Sequence, residues 1–319
     1  MVKMKHISRR NFWIASAIIV INAFFVLYTR YQFREHTADT SAGMTKCSNG
    51  YGGGISVLNK NQKHFVTMIQ KQMFTLNDQG YIPFPDTIKR VWIDVGSHAD
   101  TFLGESLAMN TNYWPNRSKM SLKDELIASH DLYVIAIDPN INFYEPLSKI
   151  PRVIPITAAI FPIEGTQVFY EYAGDGCSSL LEPNSKIDAS LSRYEWFQPC
   201  TKVKKITGVS TLRLETVLSV IDPRLNVELL KVDAQGVDLD AVKSGGKQLK
   251  RISKIIIEVQ ADQSNNKTSN MLYTNSNTAN DVRKWMSENG FLYDEKQSIV
   301  ENKAIEEYNY VFNNQNIKT

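Results

Sequence analysis

The sequence predicts an α/β protein with a largely parallel sheet, preceded by one transmembrane helix. Short runs of β-branched and aliphatic residues alternate with segments of helix length, which is typical of parallel strands joined by helices. Several of these runs end in an acidic residue, and one uncharged apolar stretch of membrane-spanning length stands near the N-terminus. With 319 residues, of which 43% are hydrophobic, the chain can bury a sizeable core.

The N-terminal region has the composition of a membrane anchor. Residues 11–29 carry no charge, and as a helix they would span about 28 Å, close to the thickness of the hydrocarbon layer. Four Lys or Arg residues lie in residues 1–10, whereas two follow within residues 30–34. The positive-inside rule therefore predicts a cytosolic tail, an uncleaved signal anchor and a type II topology, with the rest of the chain in the Golgi or endoplasmic reticulum lumen if the cell is eukaryotic. A cleaved signal peptide, whose apolar region is usually shorter, is the alternative.

The net charge of +3 comes from this N-terminal region. Residues 35–319 contain 30 basic and 33 acidic residues, which leaves a charge of −3. Such a body has no single-sign field that would attract nucleic acid, so we expect no nucleic-acid partner. Polar and Gly-rich sequence predicts a stem over residues 30–85, with a possible short helix at 63–76, and a globular domain over residues 86–319.

The three cysteines, Cys47, Cys177 and Cys200, are too few for a disulfide scaffold. In an oxidising lumen, Cys177 could pair with Cys200 and leave Cys47 over. Three reduced thiols are the alternative, and the spacing of the cysteines does not exclude it.

Four predicted strands are each followed by an acidic residue. The pairs are residues 90–93 with Asp94, 132–137 with Asp138, 228–232 with Asp233, and 255–257 with Glu258. The carboxyl ends of parallel strands meet at one edge of the sheet, which is where open α/β sheets bind ligands. A single acid after a strand is often only a turn or cap residue. Four at one edge predict a binding site.

The turn after the first strand excludes the common nucleotide motifs. Gly96 would allow a tight turn beneath a nucleotide-like ligand, but no G-x-G-x-x-G is present and the next strand-end acid, Asp138, stands 44 positions after Asp94. A dinucleotide site has that acid about 20 residues on. No P-loop or nucleophile-elbow motif occurs, and the five histidines lack the spacing of metal ligands, so we expect no metal.

Taken together and in order, the motifs resemble those of FkbM-type methyltransferases over about residues 86–312. They are Asp94-Val95-Gly96, Asp138-Pro139, Val209-Ser210-Thr211-Leu212, residues 230–236 and Ile257-Glu258-Val259. The resemblance implies a doubly wound, seven-stranded Rossmann-like methyltransferase sheet whose last strand is antiparallel, with residues 290–293 and 308–312 as the final pair. It further implies O-methylation, dependent on S-adenosylmethionine, of a hydroxyl on a sugar, a glycan or another small acceptor.

The resemblance also implies roles for residues near the strand ends. Asp94 and Gly96 would shape the pocket for the methionine part of the cofactor. The Asp138 carboxylate would accept both ribose hydroxyls, since a carboxylate can accept two hydrogen bonds at once. Asp233 would face the methionine amino group or the acceptor hydroxyl. The whole implied cofactor-binding set is Asp94, Gly96, Ser97, His98, Asp100, Asp138, Pro139, Ala158, Ala159 and Asp233, with Ala158 and Ala159 beside the adenine.

Two residues are candidates for the catalytic base that accepts the hydroxyl proton. Asp233 is one, because the motif would place it near the acceptor. His98 is the other, because an imidazole titrates in the useful pH range. A histidine in a loop is also commonly a hydrogen-bonded or solvated residue with no catalytic role.

The chain departs from the family pattern at three places. His98 stands where asparagine is common, and Asp100 stands where a second glycine is usual. The family motif D-x-E-G reads Asp233-Ala234-Gln235-Gly236 in this chain, so Gln235 cannot serve as the base or charged ligand that a glutamate could be. Residues 110–131 look like an insertion, for which we predict a surface loop.

Two other functions remain as alternatives. A type II membrane glycosyltransferase would share the topology and could use Asp238-Leu239-Asp240 as a D-x-D motif, although these residues fall in a predicted helix at 237–242, where acids in the first turn are ordinary. A methyltransferase-like domain retained only for binding would account for Asp100 and Gln235. In the segment before Cys200, Tyr194, Trp196 and Phe197 could stack on an acceptor or fill a satellite core.

Overall fold

The computed structural model describes residues 73–98, 122–185, 195, 197–260, 272–274, 276–302 and 307–317. All of them belong to the second of two compact units, Asn59–Thr319. The predicted tail, the anchor at 11–29 and most of the stem lie outside the described residues. Within the described ranges, no helix is both long enough and apolar enough to cross a membrane.

The described residues form eleven strands and five α-helices. The strands are β1 Arg90–Val95, β2 Leu132–Ile137, β3 Val153–Ile156, β4 Ala159–Ile160, β5 Gly165–Tyr172, β6 Val203–Leu212, β7 Asn226–Val232, β8 Ile252–Gln260, β9 Phe291–Tyr293, β10 Ile299–Asn302 and β11 Glu307–Asn314. The helices are α1 Leu122–Ala128, α2 Tyr144–Ser148, α3 Leu214–Ser219, α4 Asp238–Lys243 and α5 Ala279–Glu288.

The main sheet has the strand order β10-β11-β8-β7-β1-β2-β3, and β9 pairs with β11 beside this path. The five strands from β8 to β3 are parallel to one another. Strand β11 runs antiparallel to β8 and pairs with it from Glu307 to Asn313. The predicted α/β class, the seven expected strands and the antiparallel strand near the end of the sheet are thereby confirmed. The sheet has eight strands in all, because β10 pairs with β11 in addition to the expected pairing of β9 with β11.

Both faces of the main sheet are buried. In β1, Val91, Ile93 and Val95 point into one apolar cluster, whereas Trp92 points into a second. Helices α3, α4 and α5 pack on the first face, and α1 and α2 pack on the second. Parallel strands covered on both faces read as continuous apolar runs rather than alternating ones. This packing is why the strands could be recognised in the sequence.

A smaller sheet, with the order β4-β6-β5, adjoins this core. Strands β5 and β6 pair antiparallel over most of their length. The connection between them carries a disulfide bond from Cys177 to Cys200, whose Cα atoms are 5.3 Å apart. Of the two states considered for these cysteines, the structure contains the bonded one. Cys47 lies outside the described residues.

Phe74 and Ile82, which precede the predicted domain start at Asp86, are buried in the core. Two expectations about chain segments need correction. The predicted strand at 255–257 continues to Gln260, so that Glu258 lies within β8; the reason is its pairing with β11, which holds the backbone extended. Finally, residues 110–131 are not wholly a surface loop, since their end forms α1.

Helix α1 is held on the sheet by apolar and ionic contacts. Leu126 is 1% exposed, within the core of the second face. Arg90, at the start of β1, lies 3.2 Å from Glu125 of this helix and 2.8 Å from Asp131. These contacts explain why the end of the inserted segment folds onto the sheet.

Candidate active site

The carboxyl ends of β1, β2 and β7 form the floor of a cleft with about 670 Å³ of empty space, its open mouth included. One wall comes from the turn after β2, with Asn140 and Phe143, and from β4 and Ala158, the residue before it. The opposite wall comes from residues 175–180 of the segment that the disulfide closes. This is the sheet edge at which the strand-end acids predict a site.

Gly96 gives the floor its shape. Its φ angle of +72° lies in the left-handed region that favours glycine, and a Cβ atom there would overlap the carbonyl oxygen of Asp233. The Gly96 amide donates to the carbonyl oxygen of Ile137 over 2.8 Å, and the Asp233 amide donates to that of Val95 over 3.0 Å. The turns after β1 and β7 are therefore in direct backbone contact.

Asp138 presents a nearly buried carboxylate at the end of β2; the residue is 8% exposed. Its Oδ1 accepts the amide of Asn140 over 2.8 Å, and its Oδ2 accepts the amide of His98 over 3.1 Å. Burial raises the pKa of Asp138 to about 6, although these two backbone hydrogen bonds oppose the rise. Because each carboxylate oxygen has a second lone pair, the group can accept two further hydrogen bonds.

A buried cation lies beneath the floor. Lys231, on β7, is 3.4 Å from Asp94 Oδ1 and 3.4 Å from Asp233 Oδ2. The Lys231 side chain is 4% exposed and that of Asp94 is fully buried, whereas the Asp233 side chain reaches the cleft with 26% exposure. Asp94 therefore lies behind the cleft lining, and Lys231 lies between it and Asp233.

His98 joins the floor to the disulfide-closed wall. Its ring centroid is 4.1 Å from that of Phe143, and its Nε2 is 3.5 Å from Asp175 Oδ1. This contact brings a carboxylate of the wall to the imidazole of His98. His98 has a φ angle of +28°, which L-residues rarely adopt.

The turn after β7 is closed by the first acid of the candidate D-x-D motif. Asp238 Oδ1 accepts the Ala234 amide over 2.5 Å and its Oδ2 accepts the Gly236 amide over 2.8 Å. Helix α4 begins at Asp238, so the predicted helical position of the motif is confirmed. Burial and the charge of Asp233 raise the pKa of Asp238 to about 7, although the hydrogen bonds from these two backbone amides lower it. Asp238 thus acts as a cap that fixes the turn.

The structure brings most of the expected site residues together. Those that line the cleft are Gly96, His98, Asp138, Pro139, Ala158, Ala159 and Asp233. Asp94 and Ser97 are fully buried behind it, and Asp100 lies outside the described residues. The Ser97 hydroxyl oxygen is buried without a hydrogen-bond partner among the described residues.

Sequence reasoning missed several residues of the site. They are Asn140, Phe169, Asp175, Ser178 and Ser179 in the lining, and Lys231 beneath it. A lysine between the apolar residues Leu230 and Val232 in the second half of β7 was an available signal for Lys231. No comparable signal marks residues 175–179, which reach the cleft only because the chain folds back at the disulfide.

The aromatic segment before Cys200 is only partly described. Phe197 is 1% exposed and packs with Tyr172, Leu272 and Tyr273 in a satellite apolar cluster. This supports a core role for Phe197. Tyr194 and Trp196 lie outside the described residues.

Comparison with known proteins gives one match. The family model described as "Methyltransferase FkbM domain" matches residues 124–293, which is more than half of the chain. The matched range includes Asp138, Ala158, Ala159 and Asp233, and the strands from β2 to β9. No curated protein and no solved structure matches the chain.

Proposed function

Because the chain belongs to the FkbM methyltransferase family, we propose that it uses S-adenosylmethionine to methylate a hydroxyl oxygen of a sugar, a glycan or another small acceptor. The observation that carries the proposal is the Asp138 carboxylate at the end of β2. It faces the cleft, is fixed by two backbone amides and can accept two more hydrogen bonds. This is what the recognition of a ribose diol requires.

The residues of the cleft fit this cofactor. When bound, S-adenosylmethionine supplies a methyl group that its sulfonium charge activates. The lining contains the carboxylates of Asp138, Asp175 and Asp233, which suit a ligand with positive charges. The absence of a side chain at Gly96 lets the turns after β1 and β7 meet beneath the ligand. Ala158 and Ala159 leave room for a flat ring.

The chain's own residues orient the acceptor and accept its proton. General base catalysis contributes about 100- to 10,000-fold to such reactions. His98 and Asp233 are the candidate bases, and both line the cleft. Asp175 would stabilise the imidazolium if His98 accepts the proton, and Lys231 holds Asp233 from below.

Calorimetry of the purified full chain tests the function. We expect it to bind S-adenosylmethionine and its demethylated product, S-adenosylhomocysteine, with micromolar affinity. The matched comparison is a nucleotide sugar with Mn²⁺, the ligand pair of a glycosyltransferase. Binding of that pair, with no binding of either adenosyl ligand, would contradict the proposal.

The affinity for S-adenosylhomocysteine should depend on pH through Asp138. Its pKa of about 6 lies above the usual range, so its carboxylate becomes protonated as the pH falls through 6. The protonated group loses an acceptor for the ribose, and the affinity should drop by up to about fivefold between pH 6 and pH 5. The variant Asp138→Asn cannot titrate at this position and should lack this dependence. An affinity of the wild type that is constant from pH 5 to pH 8 would contradict the assignment.

The membrane arrangement is also part of the proposal. It rests on the uncharged residues 11–29 and on the excess of basic residues before them. Protease treatment of intact microsomes should leave the domain uncut, and its digestion would contradict the type II topology.

A further inference from the structure

The Gln235 carboxamide is surrounded by three partners. Its Nε2 donates to Asp233 Oδ1 over 2.7 Å and to Glu258 Oε2 over 3.2 Å. Its Oε1 lies 2.7 Å from the hydroxyl of Tyr273, whose single hydrogen is shared between this oxygen and the Cys177 carbonyl oxygen, also at 2.7 Å. Both amide hydrogens and one lone pair of the oxygen are thus in use. Since carboxylates only accept hydrogen bonds, the NH₂ group has to face the two acids, which fixes the orientation of the amide.

The backbone of Gln235 is held as firmly as its side chain. Its φ angle of +52° lies in the left-handed region, which an L-residue occupies at a cost. The Ser179 hydroxyl donates to the Gln235 carbonyl oxygen over 2.7 Å. At the next residue, Gly236, a Cβ atom would approach the Tyr273 ring and the Ser276 hydroxyl to 2.9 Å. Such a conformation persists where the surroundings over-determine it, as they do here.

The charges around Gln235 are mostly negative. The charged groups are Lys231 of β7, Asp233 after this strand, Asp238 of α4, Glu258 of β8 and Glu307 of β11. Glu258 is 7% exposed and Asp238 is 6% exposed. A glutamate at position 235, which the family motif has, would add one more carboxylate between two others and would have no hydrogen to donate while ionised.

We propose that Gln235 is a positioning residue for Asp233: its carboxamide bridges the Asp233 and Glu258 carboxylates and fixes the Asp233 side chain in the cleft. The role rests on the proposed function, in which Asp233 contacts the cofactor or the acceptor. Where the family motif has a glutamate, this chain therefore has an amide that donates hydrogen bonds to the Asp233 and Glu258 carboxylates. Tyr273 orients the bridge, and Lys231 holds the other oxygen of Asp233.

Gln235→Glu is the variant that separates bridging from mere filling of space, because it keeps the shape and changes the donors. A protonated glutamic acid can donate one hydrogen bond to Asp233, whereas an ionised one donates none. Gln79→Glu adds the same charge at an exposed position and is the control. Two quantities are measured for each protein from pH 4.5 to pH 8: the affinity for S-adenosylhomocysteine and the melting temperature.

We expect Gln235→Glu to bind S-adenosylhomocysteine about tenfold more weakly than the wild type at pH 8, and to recover affinity relative to the wild type as the pH falls. The melting temperature of Gln235→Glu should likewise lie below that of the wild type at pH 8 and approach it as the pH falls. A carboxyl group whose pKa is raised in the folded state above its unfolded value loses stability as the pH rises between the two values. The deficit against the wild type should therefore be small at pH 4.5 and reach about 5 °C at pH 8.

A deficit of Gln235→Glu that is the same at every pH, or that Gln79→Glu shares, would overturn the proposal. If Gln235→Glu does not fold, Tyr273→Phe decides instead. It removes the hydroxyl that orients the amide and should weaken binding several-fold at every pH, and unchanged binding would overturn the proposal. The melting temperatures need no ligand, so a chain that binds no adenosyl compound would contradict the proposed function while the role of Gln235 is still measured.

Discussion

Asp138→Ala is expected to abolish detectable binding of S-adenosylmethionine. The substitution removes two charge-assisted hydrogen bonds to the ribose, each of which contributes roughly 1.5–3 kcal/mol. The affinity should fall by at least about 100-fold, which moves a micromolar ligand out of the range of an ordinary calorimetric titration. The measurement is calorimetry with S-adenosylmethionine and with S-adenosylhomocysteine.

Two further proteins make this result interpretable. Asp78→Ala removes a carboxylate from an exposed position and should bind as the wild type does. Asp138→Asn keeps the shape of the side chain and one acceptor oxygen, so we expect an intermediate loss. Melting temperatures show whether the turn is still folded, since Asp138 also accepts the amides of His98 and Asn140. A folded Asp138→Ala variant with unchanged affinity would rule out Asp138 as the ribose ligand.

Of the single substitutions named here, Lys231→Met is expected to lower the free energy of unfolding most. It removes the cation from between Asp94, which is fully buried, and Asp233, and it leaves the Asp94 carboxylate without this ion pair. Breaking a buried ion pair from one side typically costs about 3–5 kcal/mol in the free energy of unfolding. Urea denaturation at pH 7 measures this loss.

The control for Lys231→Met is Lys247→Met, which removes a charge from an exposed lysine and should change the free energy of unfolding by less than about 0.5 kcal/mol. The double variant Asp94→Asn/Lys231→Met should recover part of the loss, because the buried charge is then gone as well. A loss below about 1 kcal/mol for Lys231→Met would show that the lysine does not hold the two acids.

The sequence predicted the parts of the fold in which local pattern and burial agree. Strands β2 and β3 begin and end where their apolar runs do, because both faces of the sheet are covered. The edge at which Asp138 and Asp233 meet followed from the rule that parallel strands end together. No pattern placed Glu258 inside β8, since that depends on pairing with a strand some fifty residues later.

The site residues that directly follow a strand could be predicted from the sequence. Those that later segments of the chain bring to the cleft could not. Asp175 faces His98 because the disulfide and the pairing of β5 with β6 bring its turn back to the cleft. Gln235 was recognisable as a departure from the family motif. The hydrogen-bond partners of its carboxamide could not be predicted, because Tyr273 and Glu258 are far from Gln235 in the sequence and meet it only in the folded domain.

The backbone contact between Gly96 and Asp233 has a consequence for the kinetics of ligand exchange. The two turns cannot separate without breaking the hydrogen bonds that tie β1 to both of its neighbours. In the wall, by contrast, Asp175 and Gly176 are exposed, whereas Ser179 is buried and bonded to the Gln235 carbonyl oxygen. We expect the floor and Ser179 to stay in place while the turn at 175–176 moves, so that motion of this turn sets the rate of product release.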